Sequence, residues 1–169
     1  MTSELTQILT RVQVEQKIRR IAFEIYENNF EESEVILAGV SGEGYVLAQR
    51  LADVLRQIAP LGVTVMKINL DKTIKQQPPI HLDADDAVFT SKSVVVVDDV
   101  LNSGRTLAFA LQPFLSVPLT SLKVAVIVDR DHKRYPIAAD YIGYKLSTTL
   151  TEHVEVVLSD AERIGVYLR

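Results

Sequence analysis

Apolar residues along the chain switch between two periods, and the switches mark the elements. From Glu4 to Asn28, Ile18, Ile21, Ala22 and Ile25 recur at spacings of three and four with Gln16, Lys17, Arg19 and Arg20 on the other face, which predicts one long amphipathic helix. Val35–Val40 is a short apolar run that stops at Ser41-Gly42-Glu43-Gly44. Leu47, Ala48, Leu51, Ala52, Leu55 and Ile58 then return to helical spacing, so the segment reads strand, glycine turn, helix. Pro60 and Gly62 end that helix, and Val63–Leu70 reads as a strand by its β-branched alternation. Asp71 to Ser91 breaks the rhythm. Its Pro78-Pro79 pair, two glutamines and the carboxylates of Asp83, Asp85 and Asp86 suit a mobile excursion of the kind that carries function. Order resumes with Val94–Val97, a turn over Asp98 to Gly104, a helix over Arg105 to Leu115 and a strand over Leu122 to Val128. In the tail, Tyr141 to Leu146, Val154 to Leu158 and Ile164 to Leu168 form short strands, either a small flap or an extension of the sheet edge.

Strands that are apolar without strict alternation belong to a sheet covered on both faces. The fold class is therefore α/β, an open, mostly parallel twisted sheet flanked by helices. A length of 169 residues fits a single domain over 1–169, and 47% hydrophobic with 24% charged residues excludes a disordered chain. Net charge is −4, from 18 basic and 22 acidic residues, which argues against coating nucleic acid by bulk charge. The absence of cysteine removes disulfides, thiolate metal sites and a cysteine nucleophile. The first residues lack a basic stretch followed by an apolar one, so a cytoplasmic location is expected. No apolar run approaches the roughly 20 residues of a spanning helix, so no membrane partner is expected. His81, His132 and His153 lack metal-ligand spacing and read as loop residues.

The candidate chemistry lies in Val94-Val-Val-Val-Asp98-Asp99-Val-Leu-Asn102-Ser103-Gly104-Arg105-Thr106. Four valines make a buried strand, so the adjacent carboxylates belong at its carboxyl edge, where open α/β sheets hold ligands. A short polar loop with a glycine then leads into a helix, offering amides and the hydroxyls of Ser103 and Thr106 to a phosphate. Carboxylates beside such a cradle suit a sugar phosphate. Capping and solvated turn carboxylates are the alternative account of Asp98 and Asp99, and the Ser-Gly-Arg-Thr that follows at a fixed offset counts against it.

At these residues the chain resembles the type I phosphoribosyltransferases, whose signature is a hydrophobic strand, two acidic residues, two apolar residues and a Thr/Ser-Gly-x-Thr loop. Asp129-Arg130-Asp-His-Lys-Arg-Tyr-Pro136-Ile-Ala-Ala-Asp140-Tyr-Ile-Gly143 further resembles the pyrimidine operon regulator/uracil phosphoribosyltransferase group, as does Ile18-Arg-Arg-Ile-Ala-Phe-Glu-Ile25, and the likeness extends over roughly Gln16 to Arg169. The resemblance implies transfer of the ribosyl group of phosphoribosyl pyrophosphate (PRPP) to a nucleobase such as uracil. It assigns Asp98 and Asp99 to catalysis, to the ribose hydroxyls and to Mg²⁺, held largely through substrate and water. It assigns Asn102, Ser103, Gly104, Arg105 and Thr106 to the 5′-phosphate, and Ser41, Gly42, Glu43 and Gly44 to the pyrophosphate. Arg130, Tyr141 and Ile142 go to the base, with a hood of short strands, and Lys72 and Lys75 to a mobile loop. Relatives form homodimers or higher symmetric assemblies, so a homo-oligomer is expected.

Three departures bear on turnover. Asn102 stands where purine-using relatives carry an aspartate that exchanges a proton with the base, which an amide cannot do, so a pyrimidine or no catalysis is favoured. Glu43 would face a polyanion where the group has a basic Lys-Thr-Arg-Gly loop; Ser41–Gly44 is equally an ordinary strand-to-helix turn with Glu43 on the helix dipole. Asp71-Lys72-Thr73-Ile74-Lys75 replaces a Thr-Leu-Tyr-Arg-Asp-Asp-like stretch, and a lysine is a point charge where arginine is a fork. A binding module that senses PRPP or a nucleotide is the competing reading. Regulation through RNA requires Arg11, Lys17, Arg19 and Arg20 to gather on one face.

Overall fold

The computed structural model describes residues 4–149 and 151–169. Its elements run β1 (Thr6–Leu9), α1 (Arg11–Asn29), β2 (Glu34–Val40), α2 (Glu43–Ile58), β3 (Gly62–Asn69), β4 (His81–Leu82), β5 (Ser93–Leu101), α3 (Arg105–Leu111), β6 (Ser121–Asp129), β7 (Tyr141–Lys145), β8 (Val154–Val157) and β9 (Gly165–Leu168). Six strands form the main sheet in the order β4-β3-β2-β5-β6-β7, and β1-β9-β8 form a second, three-stranded sheet. All main-sheet pairs are parallel except the short β3–β4 pair.

Two apolar layers cover the sheet. On one face α1 and α2 bury Ile21, Ile25, Leu47, Leu51 and Leu55 against Leu37, Val95, Val97, Ala125 and Ile127. On the other, α3 and the 71–91 excursion bury Leu107, Phe114 and Phe89 against Ile36, Ala38, Val94, Val96 and Val126. Adjacent valines of β5 thus serve opposite layers, which is why the strand reads as a continuous apolar run. The antiparallel β1-β9-β8 sheet packs Leu9, Val156 and Val166 into the α1–α2 layer.

The predicted first helix begins later than its periodicity suggests. Glu4 to Asn28 divides into β1 and α1 because Thr10 caps the helix: its hydroxyl accepts from the Gln13 amide at 3.3 Å while the Gln13 side chain accepts from the Thr10 amide at 2.9 Å. The predicted Arg105–Leu115 helix is α3 followed by a 3₁₀ turn over Gln112–Phe114, where Pro113 lacks a donor for continuing the ladder. Of the two alternatives for the tail, Tyr141 to Leu146 extends the main sheet beside β6, and the last two strands build the separate flap with β1. Arg20 of α1 donates to the carbonyls of Ile142 at 3.0 Å and Gly143 at 2.8 Å, occupying acceptors on the exposed edge of β7.

Candidate functional site

The predicted turn over Asp98 to Gly104 starts later, because β5 runs on past both carboxylates to Leu101 in register with β6; its pairing with β2 stops at Val97, which leaves Asp98 and Asp99 at the carboxyl edge on that side. Asp98 is only 1% exposed: its Oδ1 accepts from Lys72 Nζ at 2.8 Å and from the Asp99 amide at 2.9 Å, while its Oδ2 is buried with no partner. Asp99 lies further out, its Oδ1 accepting from Lys72 Nζ at 3.2 Å and from the Val100 amide at 2.9 Å. Burial pushes the Asp98 carboxyl up to about 8, and the neighbouring Asp99 charge adds to the effect while Lys72 opposes it. For Lys72, burial works to lower the ammonium, but the two carboxylates outweigh it and hold it above its ordinary value. The site therefore consists of a diacid that needs a cation, with an ammonium supplying one.

Beside the diacid, Asn102 to Thr106 form a turn shaped by Gly104, whose φ of +88° disfavours any side chain. A Cβ there would lie 3.3 Å from Tyr135 and Ile137, because the 131–137 segment packs on the loop and donates the Arg134 and Tyr135 amides to the Ser103 carbonyl at 2.7 and 3.0 Å. Lys72, Asp98, Asn102, Ser103, Gly104 and Thr106 line a hollow of about 40 Å³. Lys72 Nζ, 2.8 Å from Asp98 Oδ1, stands at one side of this hollow. Arg105 points away, donating to the Lys75 carbonyl and stacking on Phe109 with its guanidinium carbon 4.9 Å from the ring centroid. The Lys75 carbonyl is thus tied to Arg105, and neither side chain lines the hollow.

Ser41 to Gly44 join β2 to α2 at the same edge. A Cβ on Gly44 would stand 2.9 Å from Asp98 Oδ1, so the start of α2 abuts the diacid. The expectation that Glu43 faces a polyanion is overturned. Its carboxylate turns toward the second sheet and accepts from the Leu158 amide at 2.8 Å, the Ser159 amide at 3.2 Å and the Ser159 hydroxyl.

Two base-site expectations also change. Tyr141 is 2% exposed within the α1–α2 layer, and its hydroxyl accepts from Asn28 Nδ2 at 2.9 Å, so its ring is core. It pairs with Ala125 in the middle of β6, well short of the carboxyl edge. Ile142 faces the α3 layer. The Arg130 guanidinium makes four hydrogen bonds within the protein: it donates to Asn102 Oδ1 at 3.0 Å, Thr148 Oγ1 at 2.9 Å, and the Thr149 and Glu152 carbonyls at 3.2 and 2.6 Å. Arg130 therefore ties the cradle to the β7–β8 connection. The edge position beside it belongs to Asp129, which pairs in register with Leu101 and Lys145. Asp129 is 3% exposed, with Lys133 Nζ 3.6 Å from its Oδ2, and a hollow of about 130 Å³ opens there among Asp129, Asp131, Lys133, Lys145, Leu146 and Ser147. Asp129 follows an apolar run just as Asp98 does, which is the signal the sequence offers.

A strand-end diacid, a glycine-centred polar turn and a covering second sheet define a fold-and-site class that comparison with known proteins identifies. The phosphoribosyl transferase domain family matches residues 4–162, and the chain belongs to that family. Among its relatives are proteins named Bifunctional protein PyrR: one from Bacillus velezensis is 38% identical, with 92% of this chain and 91% of the relative covered. Another, from Enterococcus faecalis, is 32% identical over 94% and 92%. A hypoxanthine-guanine phosphoribosyltransferase from Bacillus anthracis superposes with a TM-score of 0.69 at 25% identity, covering 85% of this chain and 84% of that one. The hypoxanthine phosphoribosyltransferase of Trypanosoma cruzi reaches 0.78 at 17% identity, covering 96% and 95%, which supports the fold. Among the described residues no helix is long and apolar enough to cross a membrane.

Proposed function

We propose that the chain transfers the 5-phosphoribosyl group of PRPP to a pyrimidine base such as uracil, releasing pyrophosphate. The observation that carries this reading is that Asp98, the inner carboxylate of the diacid, and the Gly104 turn line one hollow. Asp98 and Asp99 take the ribose hydroxyls, and the 102–106 amides with the Ser103 and Thr106 hydroxyls take the 5′-phosphate. The residues fit a divalent cation: Asp98 Oδ2 is a buried oxygen without a partner, and a positive group already sits between the carboxylates. Among the described residues no three carboxylate or imidazole groups converge, so the remaining ligands of such an ion come from substrate and water. Bound Mg²⁺ supplies charge neutralisation for the departing pyrophosphate.

Lys72 leaves the diacid when the ribose enters, and its ammonium then lies beside the leaving group. The C1–O bond breaks toward an oxocarbenium-like state that positioning and fixed dipoles stabilise, which needs little proton chemistry. Asn102, held by Arg130, presents an amide to the base, which favours a pyrimidine. The hollow beside Asp129 and Lys145 is the space for that base. Self-association belongs to this reading, with Val12, Phe23 and Phe30 exposed along and just beyond α1.

Calorimetry with PRPP and Mg²⁺ tests the site. Wild type binds and Asp98→Ala does not, after which uridine monophosphate formation from uracil is measured; absence of wild-type binding overturns the reading. The Lys72 ammonium inside the diacid favours a second reading, a PRPP or nucleotide sensor, whose signature is binding without product. RNA regulation has less support, since Arg11 and Arg20 pair with Glu15 and Glu24 at 3.0 and 2.8 Å and the four α1 cations do not share one face. A low-salt shift of pyrimidine leader RNA would revive it.

A further inference from the structure

The Ser41–Gly44 turn contains a carboxylate and no cation, so its amides are all it offers a polyanion. Amides bind anions well only when their directions are fixed. The turn is anchored at its start, where the Ser41 amide donates to the Ile68 carbonyl at 2.9 Å and the Ser41 hydroxyl to the Leu70 carbonyl at 3.0 Å. Gly42 follows with φ of +94° and open space over its α-carbon. The first amides of α2 have no intrahelical acceptor. What holds the far end is Glu43, through its bonds to Leu158 and Ser159 just beyond β8. About two turns along α2, Arg50 donates to the Leu158 carbonyl at 2.7 Å, so one helix takes both main-chain groups of a residue whose side chain is buried.

We propose that Glu43 is a positioning residue: by clamping the start of α2 to the turn after β8, it fixes the Gly42–Gly44 amides in the arrangement that receives pyrophosphate. This rests on the phosphoribosyl transfer reading. Clamping stands in for positive charge in this loop, and because Gly44 abuts Asp98, the turn after β8 is joined to the diacid through two contacts, Glu43 with Leu158 and Ser159 and Gly44 with Asp98. The carboxylate also lies at the positive end of the α2 dipole, where a negative side chain is stabilising.

The opposite view, that a carboxylate here simply repels a polyanion, predicts results of the other sign. Binding of inorganic pyrophosphate with Mg²⁺ is measured by calorimetry for wild type, Ser159→Ala, Glu43→Gln and Glu43→Ala, with hydrogen exchange read at residues 41–46 and 155–160. The clamp predicts weaker binding in the order Ser159→Ala, Glu43→Gln, Glu43→Ala, reaching about tenfold for the last from loss of charge-assisted hydrogen bonds. It also predicts faster exchange at Leu158 and Ser159 and an unchanged KM for the base. Repulsion predicts tighter binding for both Glu43 variants and no change in Ser159→Ala. Ser159 is exposed and carries no charge, so that variant keeps the test open where Glu43→Ala fails to fold. Wild-type binding with unaltered or improved affinity in the variants overturns the clamp and leaves the transfer reading standing; a wild type that binds neither pyrophosphate nor PRPP overturns both.

Discussion

Two glycine turns sit at the same edge of the same sheet, one after β2 and one after β5, and they are built by different means. The β5 turn keeps its chemistry within nine residues: Asp98, Asp99, Ser103, Gly104 and Thr106 are neighbours in sequence and remain neighbours in space. The β2 turn depends on a partner 115 residues away, since the direction of Glu43 is decided by Leu158. A local motif carries its geometry with it. A turn completed by tertiary contact has the same residues whether its carboxylate faces a ligand or faces away.

The sharpest way to break this contrast is at Asp98. Asp98→Ala is expected to weaken PRPP binding at least a hundredfold by calorimetry, because no other residue replaces a buried oxygen at that point. If binding survives, the β5 turn is not the self-sufficient half.

The next effect is on stability and has the opposite sign. An Asp98 carboxyl held near 8 binds a proton in the folded state that an unfolded aspartate, near 4, has released. Between those values the folded state carries the extra proton, so this group's contribution makes stability fall as pH rises, and the full penalty is present above 8. Asp98→Asn removes the ionisable group. Its melting temperature is expected to exceed that of wild type by several degrees at pH 8 and by less at pH 5, on the order of a few kcal/mol at the upper end.

Smaller still is the effect of freeing the diacid from its internal cation. Lys72→Met is expected to raise Mn²⁺ affinity of the substrate-free protein about tenfold, read by electron paramagnetic resonance, while kcat falls. Unchanged Mn²⁺ affinity would show that the ammonium does not compete. The smallest change is Tyr141→Phe, which removes one hydrogen bond to Asn28 and is expected to cost about 1 kcal/mol of stability with the KM for the base altered less than twofold.

The layered fold was readable because its determinants are short-range. Val94–Val97 with Asp98 and Asp99 specify a buried strand ending at a rim, and the periodicity of Leu47 to Leu55 specifies a helix that packs on one face. The readings that changed all depended on something distant. β1 was absorbed into the first helix because four residues pairing with β9 leave almost no periodic trace, although Thr10 and Gln13 already spelled the cap. The resemblance assigns Tyr141 to the base, and strand alternation alone does not reveal which layer an edge strand's odd positions enter, nor how far along β6 it pairs. Arg130 lies in a recognisable motif, yet the four acceptors of its hydrogen bonds come from Asn102 and from residues 148–152. The resemblance places Lys72 in a mobile loop, whereas its ammonium bridges Asp98 and Asp99, 26 and 27 residues further on, a contact that local pattern does not reveal.

The pairing of β1 with β9 bears on how the molecule assembles. Gln7 opposes Tyr167, so the earliest strand closes against the latest, across a far longer loop than any parallel crossover in the main sheet. Contacts of such sequence separation are costly in chain entropy and form late, whereas β2-α2-β3 and β5-α3-β6 close over short spans. The cradle can therefore mature while the covering sheet is still open, and refolding should show the antiparallel sheet acquiring amide protection after the parallel one.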